Sequence, residues 1–184
     1  HHDTVLWNAM LTAYTEQGFG EKTLKLYRQM QVEGVNANEA TFVIVLQSCS
    51  LLSVEAQSVV NKWKLGKDLE LVQALHAEAR RKGFTSNIIV GNSFLNLYGK
   101  FGEISHVENV FSALPFHDVV SWTNLVLTYA ERGQGEKAVC LYEHMLKEDM
   151  DLDDVILVSI LQACKATGNL NTCKQIHFTV VSAE

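Results

Sequence analysis

Two His-x-Glu pairs, His76-x-Glu78 and His106-x-Glu108, come nearest to a catalytic motif in this 184-residue chain. They imitate half of a hydrolytic deaminase site, where a zinc-bound histidine stands beside a proton-moving glutamate. The other half, Pro-Cys-x-x-Cys, is absent, because the single proline, Pro115, is followed by Phe116. Cys49, Cys140, Cys164 and Cys173 include no Cys-x-x-Cys pair, and their spacing fits neither a zinc site nor a dense disulfide framework. They read as buried thiols of a reducing compartment. No Ser-His-Asp order, phosphate-cradling glycine loop or carboxylate pair stands out either. The expectation is a chain with no catalytic residue, no metal and no cofactor.

The elements around these residues are two-helix units. In 119–153, Trp122, Leu125, Val126 and Tyr129 fall at i, i+3, i+4 and i+7, the spacing of one helical face. Gly133 and Gly135 interrupt the pattern as turn residues, and Ala138, Leu141, Tyr142 and Met145 restart it. Such a hairpin cannot bury both faces alone and needs neighbours. The neighbours are copies. At an offset of 115 residues, 16 of the 46 positions in 4–49 and 119–164 are identical, among them Trp7 with Trp122 and Tyr14 with Tyr129. The same faces recur between the copies: Phe42, Val45, Leu46 and Cys49 with Val72, Leu75, His76 and Ala79; Phe94, Leu95 and Tyr98 with Val107, Val110, Phe111 and Leu114. They recur once more as Leu157, Ile160, Leu161 and Cys164 with Cys173, Ile176, His177 and Val180. His76 and His177 share a face position with Tyr27, Phe111 and Tyr142 and are expected to be packed rings.

The predicted fold is therefore all-α, a right-handed α-solenoid over 1–184, with units 4–38, 39–87, 88–118, 119–153 and a truncated 154–184. The second unit carries 14 extra residues within 50–66, since Cys49 to His76 spans 27 positions and Cys164 to His177 spans 13. One form of this insertion is a single helix from Glu39 to Lys64, about 39 Å long. The preferred form is a separate short helix that folds back and hides Leu52, Ala56, Val59, Val60 and Trp63. His2-Asp3 aligns with His117-Asp118, and the last unit stops four residues short of the second, so further repeats are expected on both sides.

A hydrophobic content of 47% with 20% charged residues is that of a globular chain. No apolar run approaches 18 residues, and no membrane span is expected. The net charge of −6 argues against a non-specific nucleic-acid binder, because phosphate contacts demand cations.

The stretches VVSWTNLVLTYAERGQGEKAVCLYEHM, VLWNAMLTAYTEQGFGEKTLKLYRQM, VGNSFLNLYGKFGEISHVENVF and LQACKATGNLNTCKQIH resemble the pentatricopeptide repeat family, specifically its plant class of alternating long and short repeats. Tetratricopeptide repeats differ in length and in their Trp-x-x-Leu-Gly-x-x-Tyr pattern, which is absent. The resemblance implies binding of single-stranded RNA at one base per repeat, first helices lining the groove. It implies an adaptor for organellar RNA processing in a mitochondrion or chloroplast, including C-to-U editing, with editing or processing factors as further partners. Some relatives carry a deaminase domain elsewhere. Base choice in the family is set by the residue after the first-helix aromatic and the last residue of the repeat. Carried over, the pairs are Asn8 with Asn38, Asn92 with Asp118, and Thr123 with Asp153, side chains whose donors and acceptors suit Watson–Crick edges. Their ordinary alternative role is helix capping. By the family's code they imply 5′-pyrimidine–any–U–G-3′, the chain running with the RNA; Val43 and Val158 fill the slots that read nothing. Val5, Ile89 and Val120 are implied to sandwich bases, and Lys100 to reach phosphate.

The chain departs from the family pattern at Glu16 and Glu131, which stand where Lys100 stands in the short unit. Carboxylates there repel phosphate, so weak binding with a small salt-dependent part is expected. The competing reading is a scaffold whose groove holds a peptide or partner subunit, favoured by the acidic charge, the two glutamates and the insertion.

Overall fold

The computed structural model describes residues 4–55, 62–148, 150, 152, 154–169, 171–174 and 176. Among them are nine α-helices: α1 (Thr4–Glu16), α2 (Gly20–Val32), α3 (Glu39–Glu55), α4 (Lys62–Arg81), α5 (Ile88–Phe101), α6 (Ile104–Ala113), α7 (Val119–Glu131), α8 (Gly135–Lys147) and α9 (Asp154–Thr167), with a 3-10 turn at Phe84–Ser86. Residues 171–174 and 176 are also helical, and no strand occurs among the described residues. Among the described residues no helix is long and apolar enough to cross a membrane.

Each odd-numbered helix pairs with the next as a hairpin, and α1, α3, α5, α7 and α9 also pack directly on one another. The even-numbered helices each lean on the following odd one, and no pair of them packs as closely. One layer is therefore tight and the other splayed, which makes an α-solenoid with the odd helices on its close-packed side. The apolar faces explain this. Phe42, Phe94, Leu95, Tyr98, Val126, Tyr142, Met145 and Ile160 are almost fully buried between the layers, each removing about 1.5–3 kcal/mol worth of apolar surface from water. Phe42 illustrates the joint between hairpins: Tyr27 of α2 and Phe84 of the 3-10 turn meet its ring edge-on at 6.2 and 5.5 Å.

The two glycines of each Gly-x-Gly turn have different duties. Gly18 and Gly133 adopt left-handed φ of 78° and 73°, which a Cβ disfavours. Gly20 and Gly135, expected as turn residues too, are instead the first residues of α2 and α8. A Cβ on Gly135 would stand 2.7 Å from Thr167 Cγ2 and 3.0 Å from the Ala163 carbonyl; on Gly20 it would stand 2.9 Å from the Ser48 carbonyl. The second glycine lets the second helix press on the next first helix.

Most face residues fall where the periodicity puts them, but Phe111, Leu141, Leu157 and Cys173 are only half-buried, and Cys140, expected as a buried thiol, is exposed because it lies off the apolar face of α8. Trp122 is half-buried, in an aromatic cluster with Phe111, His117 and His144, and Leu161 is exposed. His76 is a packed ring, 4.5 Å from Phe94 and hydrogen-bonded to Tyr98 at 3.1 Å; His177 lies outside the described residues. Burial lowers the His76 pKa, and electrostatic repulsion from the neighbouring His106 and Arg80 lowers it further. Residues 50–55 continue α3 and 62–66 open the 20-residue α4. Both forms expected for the insertion turn on residues 56–61, which lie outside the described residues, as does the side chain of Trp63.

Candidate nucleic-acid interface

The residues paired in the sequence are neighbours in space, although 30 and 26 positions separate them. Asn8 on α1 donates through Nδ2 to Asn38 Oδ1 at 3.1 Å. Asn92 on α5 donates through Nδ2 to Asp118 Oδ1 and Oδ2 at 3.0 and 3.2 Å. Asn38 and Asp118 are the residues just before α3 and α7, and their Oδ1 atoms accept the N–H of Thr41 and Ser121 at 2.9 and 2.8 Å. Both are thus N-caps that satisfy an orphan donor of the following helix. In return the Thr41 and Ser121 hydroxyls accept the Asn38 and Asp118 N–H groups at 3.1 and 3.3 Å, closing a capping box.

The same two hydroxyls contact the first member of each pair. Thr41 Oγ1 lies 2.7 Å from Asn8 Oδ1, and Ser121 Oγ lies 2.8 Å from Asn92 Oδ1. Each of these two joints is therefore a three-residue network. Thr41 and Ser121 were not singled out in the sequence. Their signal was present, a hydroxyl three residues after Asn38 or Asp118, and it reads locally as a cap.

The third pair is half visible. Thr123 donates its hydroxyl to the Val119 carbonyl at 2.7 Å, which leaves the oxygen as an acceptor. Asp153 lies outside the described residues. At the non-polar slot Val43, the joint is made differently. Asn87 caps α5 by accepting from Ile89 N and Val90 N, and its Nδ2 donates to Glu39 Oε2 at 2.8 Å.

Burial alone would raise the Asp118 pKa. Hydrogen bonds led by the N–H of Ser121 and the Asn92 amide outweigh it and hold the carboxyl below its ordinary value, as an anion.

The Asn92–Asp118 network opens onto a cleft of about 460 Å³ between α3, α5 and α7, lined by Val43, Ile89, Asn92, Asn96, Asp118 and Val120 among others. Val5, Ile89 and Val120 expose 68%, 60% and 53% of their surface. They occupy the second position of α1, α5 and α7, each an exposed aliphatic residue near the start of its helix. Lys100, at the far end of α5, is exposed and donates to Ser50 Oγ of α3. Glu16 and Glu131 are exposed at the ends of α1 and α7. Among the described residues no cluster of three or more His, Cys, Asp or Glu is placed to hold a metal.

Residues 2–50 match the PPR repeat family and 120–150 match the PPR repeat. The chain is 32% identical, over 94% of its length, to the chloroplastic pentatricopeptide repeat-containing protein CRR2 of Arabidopsis thaliana, of which it spans 25%. It is 28% identical over 95% of its length to a mitochondrial pentatricopeptide repeat-containing protein of the same plant, of which it spans 26%. The chain thus spans about a quarter of the length of these curated relatives. In fold it is similar to the PPR domain of Arabidopsis thaliana protein-only RNase P 1, solved in complex with tRNA: TM-score 0.75, 15% identity, covering 97% of this chain and 89% of that one. It is likewise similar to the pentatricopeptide repeat protein PPR10 in complex with an 18-nt psaJ RNA element: TM-score 0.71, 15% identity, covering 100% of this chain and 26% of that one. The chain is an all-helical solenoid that carries pentatricopeptide repeats, and its relatives along nearly its whole length are pentatricopeptide repeat-containing proteins.

Proposed function

We propose that this chain is a sequence-specific single-stranded RNA-binding segment, reading about one base per repeat as 5′-pyrimidine–any–U–G-3′, within a mitochondrial or chloroplast RNA-processing protein of the long–short repeat class. The observation that carries the reading is the pair of hydrogen-bonded joints, Asn8–Asn38 and Asn92–Asp118, each beside an exposed aliphatic residue.

The polarity of each joint supports the base assigned to it. Asn92 keeps a second Nδ2 hydrogen and Asp118 keeps lone pairs on Oδ2, a donor beside an acceptor. Uracil offers the complement, a carbonyl beside N3–H. Asn8 and Asn38 keep only amide hydrogens, two donors, which suits the adjacent O2 and N3 acceptors of cytosine. Thr123 offers an oxygen, and guanine presents N1–H and N2–H₂ to it. Val43 and Val158 offer neither. Val5, Ile89 and Val120 pack against the faces of the bases, and Lys100 meets a phosphate. With repeat boundaries at 38, 87, 118 and 153, one joint serves each of the four bases.

Filter binding tests the reading: RNA containing pyrimidine–any–U–G against a scrambled strand, at several salt concentrations. The expected result is preference for the matched strand. With Lys100 as the phosphate contact, log K should fall against log[salt] with a slope of only about −0.7. Equal retention of both strands, or none of either, overturns the proposal. A peptide or subunit held in the cleft would be the replacement.

A further inference from the structure

The joint contains a third polar residue that the pairwise reading leaves out, and hydrogen-bond bookkeeping decides what it does. A carboxylate only accepts, so the Asn92 atom facing Asp118 is nitrogen. The Asn92 oxygen then points to the other partner, Ser121 Oγ, at 2.8 Å. An amide oxygen also only accepts, so it requires a hydroxyl hydrogen there. Ser121 has one; Asp118 Oδ1 lies equally near its oxygen, at 2.8 Å, but already accepts from Ser121 N and Asn92 Nδ2, so the hydrogen is assigned to the Asn92 oxygen.

The Asn8 joint gives the same answer from a different start. The Thr41 N–H only donates, so the Asn38 atom facing it at 2.9 Å is oxygen. The Asn8 atom bonded to that oxygen is nitrogen, and the Asn8 oxygen is left 2.7 Å from Thr41 Oγ1. Two joints with different capping residues, Asn38 and Asp118, place a hydroxyl in the same spot.

We infer that the Thr41 and Ser121 hydroxyls are positioning residues that, as the second contact beside the Asn38 and Asp118 oxygens, lock the Asn8 and Asn92 amides in one of two flips, so that Nδ2–H and not Oδ1 is turned to the RNA base. An amide free to flip would present either a donor or an acceptor, and the distinction between bases that differ in that polarity would be lost. Base choice in this chain then depends on three residues per joint, the third on the following helix. At α5 the third position is Val90 and at α9 it is Ile156, neither with a hydroxyl. Those follow the Val43 slot, which has no amide to orient, and the Thr123 slot, where the Val119 carbonyl fixes the hydroxyl instead. The hydroxyl occurs where an asparagine needs it.

The inference rests on the RNA-binding reading for its consequence and on the amide alone for its geometry, so two measurements separate them. The chain is prepared as wild type, Ser121→Ala and Ser121→Thr, with ¹⁵N labelling. The Asn92 side-chain amide is followed by heteronuclear NOE, and binding is compared for RNAs that differ only in U or C at the third position. The expected result is a rigid Asn92 amide in wild type and Ser121→Thr and a mobile one in Ser121→Ala. The U-over-C ratio should fall at least threefold in Ser121→Ala alone, with preference at the first base, served by Thr41, unchanged. Lower melting temperature in Ser121→Ala with a still-rigid amide overturns the inference, since that is capping only. A loosened amide with an unchanged U-over-C ratio overturns it too. Absence of any base preference in wild type overturns the RNA reading, and the amide measurement still decides the lock.

Discussion

Asp118→Asn separates the two duties of the joint, because the chain already contains the control. At the Asn8–Asn38 joint an asparagine caps α3 with the same geometry that Asp118 uses at α7: 2.9 against 2.8 Å to the capped N–H, and 3.1 against 3.0 Å to the partner amide. Asn and Asp are equivalent N-caps. The stability lost is therefore the charge component, an anion at a helix N-terminus worth about 0.3–1 kcal/mol at a part-exposed site. The effect on reading is larger. Oδ2, an acceptor, becomes Nδ2, a donor, which meets uracil N3–H with like polarity and cytosine N3 with a complement. One hydrogen bond unmade for uracil costs about 1–3 kcal/mol, and about 1.4 kcal/mol is tenfold. Preference at the third position should swing from U to C by roughly ten- to a hundredfold on that scale. Fluorescence anisotropy competition between two RNAs differing at that base reads the swing, and a thermal melt reads the stability. An unchanged U preference would refute the polarity argument. A loss of more than about 3 kcal/mol in stability would refute the equivalence of the two caps, well above the charge component alone.

Thr123→Asn should move the fourth-position preference from guanine toward uracil, read in the same competition format with G and U at that base. Gly135→Ala should lower the melting temperature by the equivalent of about 1–3 kcal/mol through overpacking against Ala163 and Thr167, whereas Gly34→Ala, where the added Cβ meets nothing, should cost only its backbone strain at φ 73°. Stability should decline in acid with two contributors. His76, held neutral by burial and by His106 and Arg80, binds its proton later than in the unfolded chain, so stability falls as pH drops below about 6.5. Asp118, with a folded pKa below its unfolded value, contributes fully above about pH 4 and loses that contribution as pH falls through the folded value. Melting curves of wild type and Asp118→Asn between pH 3 and 6 should therefore converge at the acid end; parallel curves would remove Asp118 from the account.

Much of the fold was legible because its determinants are local. The faces of α7 and α8 follow from spacing within a dozen residues, and the repeat at 115 residues multiplies that signal. What was not legible depended on contacts between hairpins. Gly20 and Gly135 read as turn residues from their sequence, yet their packing duty is visible only once Ser48 and Ala163 stand against them. Leu161 has the spacing of a core residue and is exposed. The pairing of Asn8 with Asn38 or Asn92 with Asp118 does not follow from spacing at all; it came from the family resemblance, and the structure supplies the hydrogen bonds. Thr41 and Ser121 escaped notice because a capping hydroxyl is an adequate local explanation, and their second contact lies on the preceding odd-numbered helix.

On the proposed reading, capping and base reading are not rival accounts of the same residues. A carboxylate offers about four lone-pair sites, and at Asp118 the cap and the Asn92 amide use those on Oδ1 and part of Oδ2. The remainder faces the cleft. Asn87 shows the two duties coming apart. It caps α5 through Ile89 and Val90, but Val43 offers it no amide, and Glu39, one helical turn earlier on α3, takes its Nδ2 hydrogen. The joint survives with its polar atoms satisfied inside the protein and none required from a base. Stacking of the helices needs a cap at every joint; reading needs a polar residue at the fifth position of the helix before it. Because one side chain serves both where both occur, the proposed reading ties the spacing between bases to the spacing between first helices, and a change at the cap should be felt by the base.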